Sequence, residues 1–275
     1  MQPRDAVAVA IVLALTLGGC ASMSRKFTFM RPDVSRKGYT QVAPDYDVRG
    51  GKARSGQLAA MDRIALADQR LRSGHYAEAE ADAKAALKLD PKSADAHTLL
   101  AVVAEQRGQK AQAGGHYAQA TELAPARGSV LNNYGAWLCG NGRAAESLAW
   151  FDRALADPGY ATPASARANA GSCAVDAGQP GRAERDLRQA LAQDPTNATA
   201  LAAMARSAFG GGRYLEARAF SERRLAAAPP DAESLRLASQ IEQKLGDNQA
   251  SARYLQQITA QFPQGAAQSG ETGRK

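Results

Sequence analysis

Six glycines, Gly74, Gly108, Gly142, Gly178, Gly212 and Gly246, recur at separations of 34, 34, 36, 34 and 34 residues, each followed by a second run of helical character. Prolines keep the same period at Pro91, Pro125, Pro158, Pro195, Pro229 and Pro263. One such unit of helix, Gly turn, helix and Pro cannot bury its apolar face alone, so successive units must stack into a continuous core with a curved, concave groove. Small residues stand where paired helices have to approach: Ala67, Ala101, Gly135, Gly171 and Ala205 in the first helices, and Ala79, Ala113, Ala183 and Ala217 in the second. Bulky residues such as Leu87, Leu100, Tyr117, Tyr134, Phe151, Leu187 and Leu225 fill between them. Alanine makes up about a fifth of the 275 residues and aromatic residues only 6%, which favours helix and argues against an all-β or dinucleotide-binding α/β fold.

The 34-residue unit resembles the tetratricopeptide repeat. The fold expected is all-α, a right-handed superhelix of six helix-turn-helix repeats at about 60–93, 94–127, 128–163, 164–197, 198–231 and 232–263. The two extra residues near Gly159-Tyr160-Ala161-Thr162-Pro163 predict a bulge between repeats three and four. Residues 264–275 lack the period and read as a disordered tail.

Ahead of the repeats lies an address. Arg4 precedes an apolar run from Ala6 to Leu17 that is too short to span a bilayer, so 1–19 reads as a secretory signal peptide. Its ending, Leu17-Gly18-Gly19-Cys20, resembles the bacterial lipobox, which implies that Cys20 carries diacylglycerol and palmitate as the first residue of the mature chain. Several acyl chains together make such an anchor durable, where one alone is reversible. Ala21 is not Asp, and by resemblance to lipoprotein sorting this directs the protein to the outer membrane with its domain in the periplasm. Residues 20–57 carry Pro, Gly and no sustained apolar period, and read as a flexible tether.

The formal charge of +7 is concentrated in that tether. Arg25, Lys26, Arg31, Arg36, Lys37, Arg49, Lys52 and Arg54 face only Asp33, Asp45 and Asp47. A basic linker without interleaved aromatics is not the footprint of a nucleic-acid surface, so no nucleic-acid partner is expected. A solvated spacer, or one resting on anionic headgroups, accounts for the charge.

The middle of the chain carries a more specific signal. Leu131-Asn132-Asn133-Tyr134-Gly135-Ala136-Trp137-Leu138-Cys139 is followed by Phe151 to Ala156, by Asp157-Pro158-Gly159-Tyr160-Ala161-Thr162-Pro163, and then by Asn169-Ala170-Gly171-Ser172-Cys173. With Ala217-Arg218-Ala219-Phe220 and the Ala228 to Leu235 stretch, this combination resembles the PilF/PilW family of type IV pilus biogenesis lipoproteins, across Cys20 to Pro263. The resemblance implies a pilotin, a lipid-anchored protein that helps the outer-membrane secretin of the pilus reach its membrane or assemble into its ring. A repeat scaffold serving another envelope assembly, such as a different pilus, outer-membrane protein assembly or regulation of a cell-wall synthase, is the alternative.

Cys139 and Cys173 lie 34 residues apart near the ends of adjacent first helices. Either they form a disulfide in an oxidising compartment, or they are two buried thiols packed as small apolar residues. Asn132, Asn133 and Asn169 either point into the groove to bind a partner's backbone, or satisfy neighbouring helix ends. Met61, Ile64, Leu71 and Val102 form an apolar strip in the first two repeats, suited to a partner segment or to a cap.

No enzyme is expected, and no cofactor or small-molecule substrate. His75, His97 and His116 occupy unrelated repeat positions with no metal-ligand spacing, no Gly-rich phosphate loop follows a strand, and no Ser or Cys has a His partner in pattern.

Overall fold

The structure, a computed structural model, describes residues 49–263. These form twelve helices and no strand. They pair in chain order: α1 (Arg49–Arg72) with α2 (Tyr76–Leu89), α3 (Ala94–Gln106) with α4 (Lys110–Leu123), and α5 (Gly128–Gly140) with α6 (Ala144–Leu155). The second half repeats the plan with α7 (Pro163–Asp176) and α8 (Pro180–Gln193), α9 (Ala198–Gly210) and α10 (Tyr214–Ala227), and α11 (Ala232–Leu245) and α12 (Asn248–Gln261). Six antiparallel pairs thus match the six expected repeats. The residues read as signal peptide, lipidated Cys20, most of the expected tether and the expected tail lie outside the described residues.

The periodic glycines end the first helix of every pair. All six sit at φ between +68° and +85°, a region L-residues disfavour. The residue after each glycine donates its N–H to the carbonyl five positions back, as His75 does to Arg70, Gln109 to Ala104 and Asp247 to Glu242. That closes the first helix and turns the chain into the second. Side chains cap several starts: Ser93 and Asn197 accept from the backbone N–H three residues on, and Asp231 with Ser234 forms a reciprocal box.

Within pairs, the small positions are buried as the spacing requires. Ala67, Ala79, Ala83, Ala113, Ala183 and Ala217 are fully enclosed. Ser147 and Ser251 occupy the second-helix register in repeats three and six, and Ser239 the first-helix register in repeat six. Ser239 and Ser251 bond to each other at 2.9 Å, so the hydroxyls are satisfied where they are buried. The core is richest in repeats three to five, around Leu148, Phe151, Cys173, Leu187 and Met204.

Two features depart from the sequence reading or refine it. Helix α1 begins at Arg49, so residues 49–57, assigned above to the tether, are helical. Extending a packed helix adds one hydrogen bond per residue and needs no apolar face, and Lys52, Ala53, Arg54 and Gln57 are good helix formers. The bulge between repeats three and four is held by Asp157. Its carboxylate accepts from the Gly128 N–H at 2.7 Å and from the Gly159 N–H at 2.8 Å, while Tyr160 packs over Gly128. Those two backbone donors, Gly128 first, hold the Asp157 carboxyl below its ordinary range.

Candidate functional site

Each first helix packs against its own partner and against the next first helix, α1 on α3, α3 on α5, α5 on α7, α7 on α9 and α9 on α11. The first helices therefore form the inner layer and line the concave side. What faces inward is set by register: a residue one place after each small first-helix position points away from the second helix. Asp68, Val102, Ala136, Ser172, Arg206 and Gln240 share that place.

The sequence-selected apolar strip divides on inspection. Met61 is 63% exposed, whereas Ile64 and Leu71 pack on a cluster containing Ala67, Leu99 and Leu100, and Val102 is half-buried. Leu58, also exposed, lies one turn before Met61 on the same face of α1. Only the Leu58–Met61 end of the strip offers free apolar surface, while Ile64 and Leu71 join α1 to the second repeat.

The asparagines meet each other. Asn169 Nδ2 donates to Asn132 Oδ1 at 3.0 Å across α5 and α7, and Asn132 Nδ2 reaches Asn133 Oδ1 at 3.5 Å. All three are half-buried, so each keeps polar capacity toward the groove beyond these bonds. Further along the same two helices Cys139 and Cys173 are joined in a disulfide, with Cα atoms 5.8 Å apart. The carboxylate of Asp176 lies 4.0 Å from Cys139 Sγ at the rim.

Beyond the disulfide the inner face becomes charged. Arg206 on α9 donates to Ser172 Oγ at 2.7 Å, and its Nη1 lies 3.6 Å from Asp176 and 3.9 Å from Glu233. Ser172 and Arg206 are separated by one repeat, so the contact joins equivalent places in successive units. Neither was singled out from the sequence, although both share the register of Val102, and that register was the signal available.

The stretch Leu131 to Cys139 forms the hub of the array. Trp137 lies over Gly114 of α4, where a Cβ would come within 2.4 Å of its ring. Tyr134 stacks on Trp137 at 5.8 Å and meets Trp150 edge-on at 4.7 Å, with the Arg153 guanidinium 4.4 Å from the Trp150 ring centre. Tyr117 donates to Glu105 at 2.6 Å, and burial together with that carboxylate pushes its hydroxyl pKa up.

Folding brings together two histidines that the sequence kept apart. His97 of α3 and His116 of α4 place their Nδ1 atoms 3.2 Å apart, and burial holds both below the usual histidine range. Among the described residues no three His, Cys, Asp or Glu side chains are grouped to hold a metal ion.

Two tetratricopeptide-repeat family models match, one over residues 64–128 and the other over residues 174–241. Among solved structures, PilW, described as a widely conserved type IV pilus biogenesis factor, is 34% identical, with a TM-score of 0.67 over 74% of this chain and 94% of its own. The chain belongs to the PilF/PilW family of tetratricopeptide proteins. PilF of Pseudomonas aeruginosa, a type IV pilus assembly protein, is 26% identical over 70% of this chain and 77% of its own length. The solved structure of that PilF gives a TM-score of 0.65 at 25% identity, over 76% of this chain and 94% of its own. An uncharacterised Haemophilus influenzae protein is 31% identical over 44% of this chain and 68% of its own.

Proposed function

We propose that this PilF/PilW-family protein is an outer-membrane lipoprotein, anchored through acylated Cys20, that binds the type IV pilus secretin and promotes its localisation or multimerisation. The observation that carries this reading is the likeness to PilW and PilF over 74% and 76% of this chain and 94% of each of those chains. Binding alone does the work. A lipid anchor confines the domain to a thin layer, so a secretin subunit held in the groove experiences a high effective concentration at the bilayer it must enter. Met61 with Leu58 offers an apolar contact at one end of the array, and Asn132, Asn133 and Asn169 offer hydrogen bonds in its middle.

The reading is tested by deleting the gene and assaying the outer membrane for heat-resistant secretin multimers, then restoring the wild type or Cys20→Ser. Loss of multimers while the monomer persists, rescued by wild type and poorly by Cys20→Ser, is the result expected. Normal multimers in the deletion strain would overturn it and leave a scaffold for some other envelope assembly.

A further inference from the structure

The junction of repeats five and six holds a cavity of about 260 Å³, walled by Ala202, Ala205 and Leu237 as well as by polar side chains, open to the inner face between α9 and α11 and floored by α10. That is below the ~300–1,000 Å³ of sites for free small molecules, and suits a single side chain entering from a longer segment. In repeats two, three and four this layer is filled by Tyr117, Phe151 and Leu187, while repeat one carries Ala83; in repeat five the equivalent residue is Ser221. Ser221 is only 5% exposed and lines the cavity, yet its hydroxyl has no hydrogen-bond partner among the described residues. Arg224, also on the floor, is committed elsewhere. It donates to Asp231 at 2.6 Å and to the carbonyls of Ala228 and Pro229.

Arg206 at the mouth is under-used. Its one hydrogen bond is to Ser172, its Nε is buried without an acceptor, and both neighbouring carboxylates stand beyond hydrogen-bond length. The cavity thus presents an Arg206 guanidinium with unused N–H groups, the Glu233 carboxylate and the Ser221 hydroxyl.

Charge decides what fits. Asp231 and Arg224 already neutralise each other, so a carboxylate would enter with Arg206 alone to attract it and with Glu233 and Asp176, 3.9 and 3.6 Å from that guanidinium, to repel it. An ammonium would meet the Arg206 guanidinium and give it nothing to donate to. A neutral group with an acceptor and a donor on one carbon satisfies both: its oxygen accepts from Arg206, its nitrogen donates to Glu233, and Ser221 serves either. We propose that this cavity binds the carboxamide side chain of an Asn or Gln in an extended partner segment. The proposal rests on the reading of the protein as a protein-binding scaffold, and names the chemistry its groove selects.

The test is a titration of the full chain in detergent, labelled with ¹⁵N at arginine, with acetyl-Gly-Gln-Gly-amide and its Glu, Lys and norleucine counterparts. A saturable shift of the Arg206 side-chain resonance is expected for the Gln peptide, with binding about tenfold tighter than for the others. The resonance missing from Arg206→Met identifies the Arg206 signal, and Thr199→Phe, at an exposed position on the rim, should block its shift while leaving the helical circular dichroism unchanged. Equal, non-saturating shifts for all four peptides, or binding that survives Thr199→Phe, would overturn the proposal. The titration reads the purified chain alone, so its failure is distinct from normal secretin multimers in the deletion strain.

Discussion

Gly171 of α7 lies directly beneath Leu187 of α8: a Cβ on Gly171 would stand 2.5 Å from Leu187 Cγ and 3.1 Å from the Leu187 backbone nitrogen. Leu187 is fully buried, and the nearby backbone leaves it little room to withdraw. Gly171→Ala should therefore destabilise the array by about 1–3 kcal/mol through overpacking, even though alanine is the better helix former. Gly115, on the exposed side of α4 with nothing within 4 Å of its would-be Cβ, is the control. Gly115→Ala should instead gain up to about 1 kcal/mol. Urea midpoints of the two variants moving in the same direction would refute this account of the small-residue register.

The Cys139–Cys173 disulfide closes a loop with a sequence separation of 34 and joins two successive inner helices. Reduction, or the double change Cys139→Ser and Cys173→Ser, should cost about 2–4 kcal/mol by releasing the unfolded chain. The two repeats on either side remain joined by the packing of Leu148 and Phe151 of α6 on Ala170 and Ala174 of α7. Denaturation with and without reductant checks this, and coincident curves would show that the bridge contributes nothing.

Much of this was legible in advance, because a 34-residue period writes the fold into glycine and proline positions that have a fixed backbone purpose. Gly74 through Gly246 had to be left-handed, and Ala79 or Ala113 had to be small, whatever the partner. The joining of Cys139 to Cys173 was one of two open readings, since repeat spacing sets which helices are neighbours and leaves the rotation of each side chain undetermined. The start of α1 at Arg49 was not legible, because the extension is sustained by propensity and lacks an amphipathic pattern. Arg206 and its cavity escaped notice for a related reason. Their signal is a local departure, Ser221 where repeats two to four carry Tyr117, Phe151 and Leu187, and it becomes visible only once the repeats are superposed.

The meeting of His97 and His116 gives stability a pH dependence near neutrality. Burial lowers both; the His116 charge adds to the effect at His97, Lys84 adds to it at His116, and Glu80 opposes it there. The folded state therefore favours neutral rings, while the unfolded chain takes up protons at about pH 6.5. Their contribution is complete above that value and is lost as the pH falls from about 6.5 through the lower folded values. The urea midpoint should drop between pH 7.5 and 5.5, a window above the titration of the lowered carboxyls such as Asp157. His116→Asn should flatten that slope, and a variant with the wild-type pH dependence would remove the pair as its source.

Met61 and Leu71 distinguish surface from support in the first repeat. Met61 is largely exposed, so Met61→Asp should leave the urea midpoint within about 0.5 kcal/mol of wild type. Leu71 packs on the Leu99 and Leu100 cluster, and Leu71→Asp should cost more than about 2 kcal/mol by placing a charge against it. If the exposed end of α1 is where secretin docks, Met61→Asp should abolish heat-resistant multimers at normal protein abundance, whereas Leu71→Asp should reduce them only in proportion to lost protein. Immunoblots of both quantities in the same cells give the comparison. Multimers at wild-type level with Met61→Asp would move the docking surface away from the first repeat and onto the polar inner face, where Asn132, Asn169 and Arg206 become the residues to change.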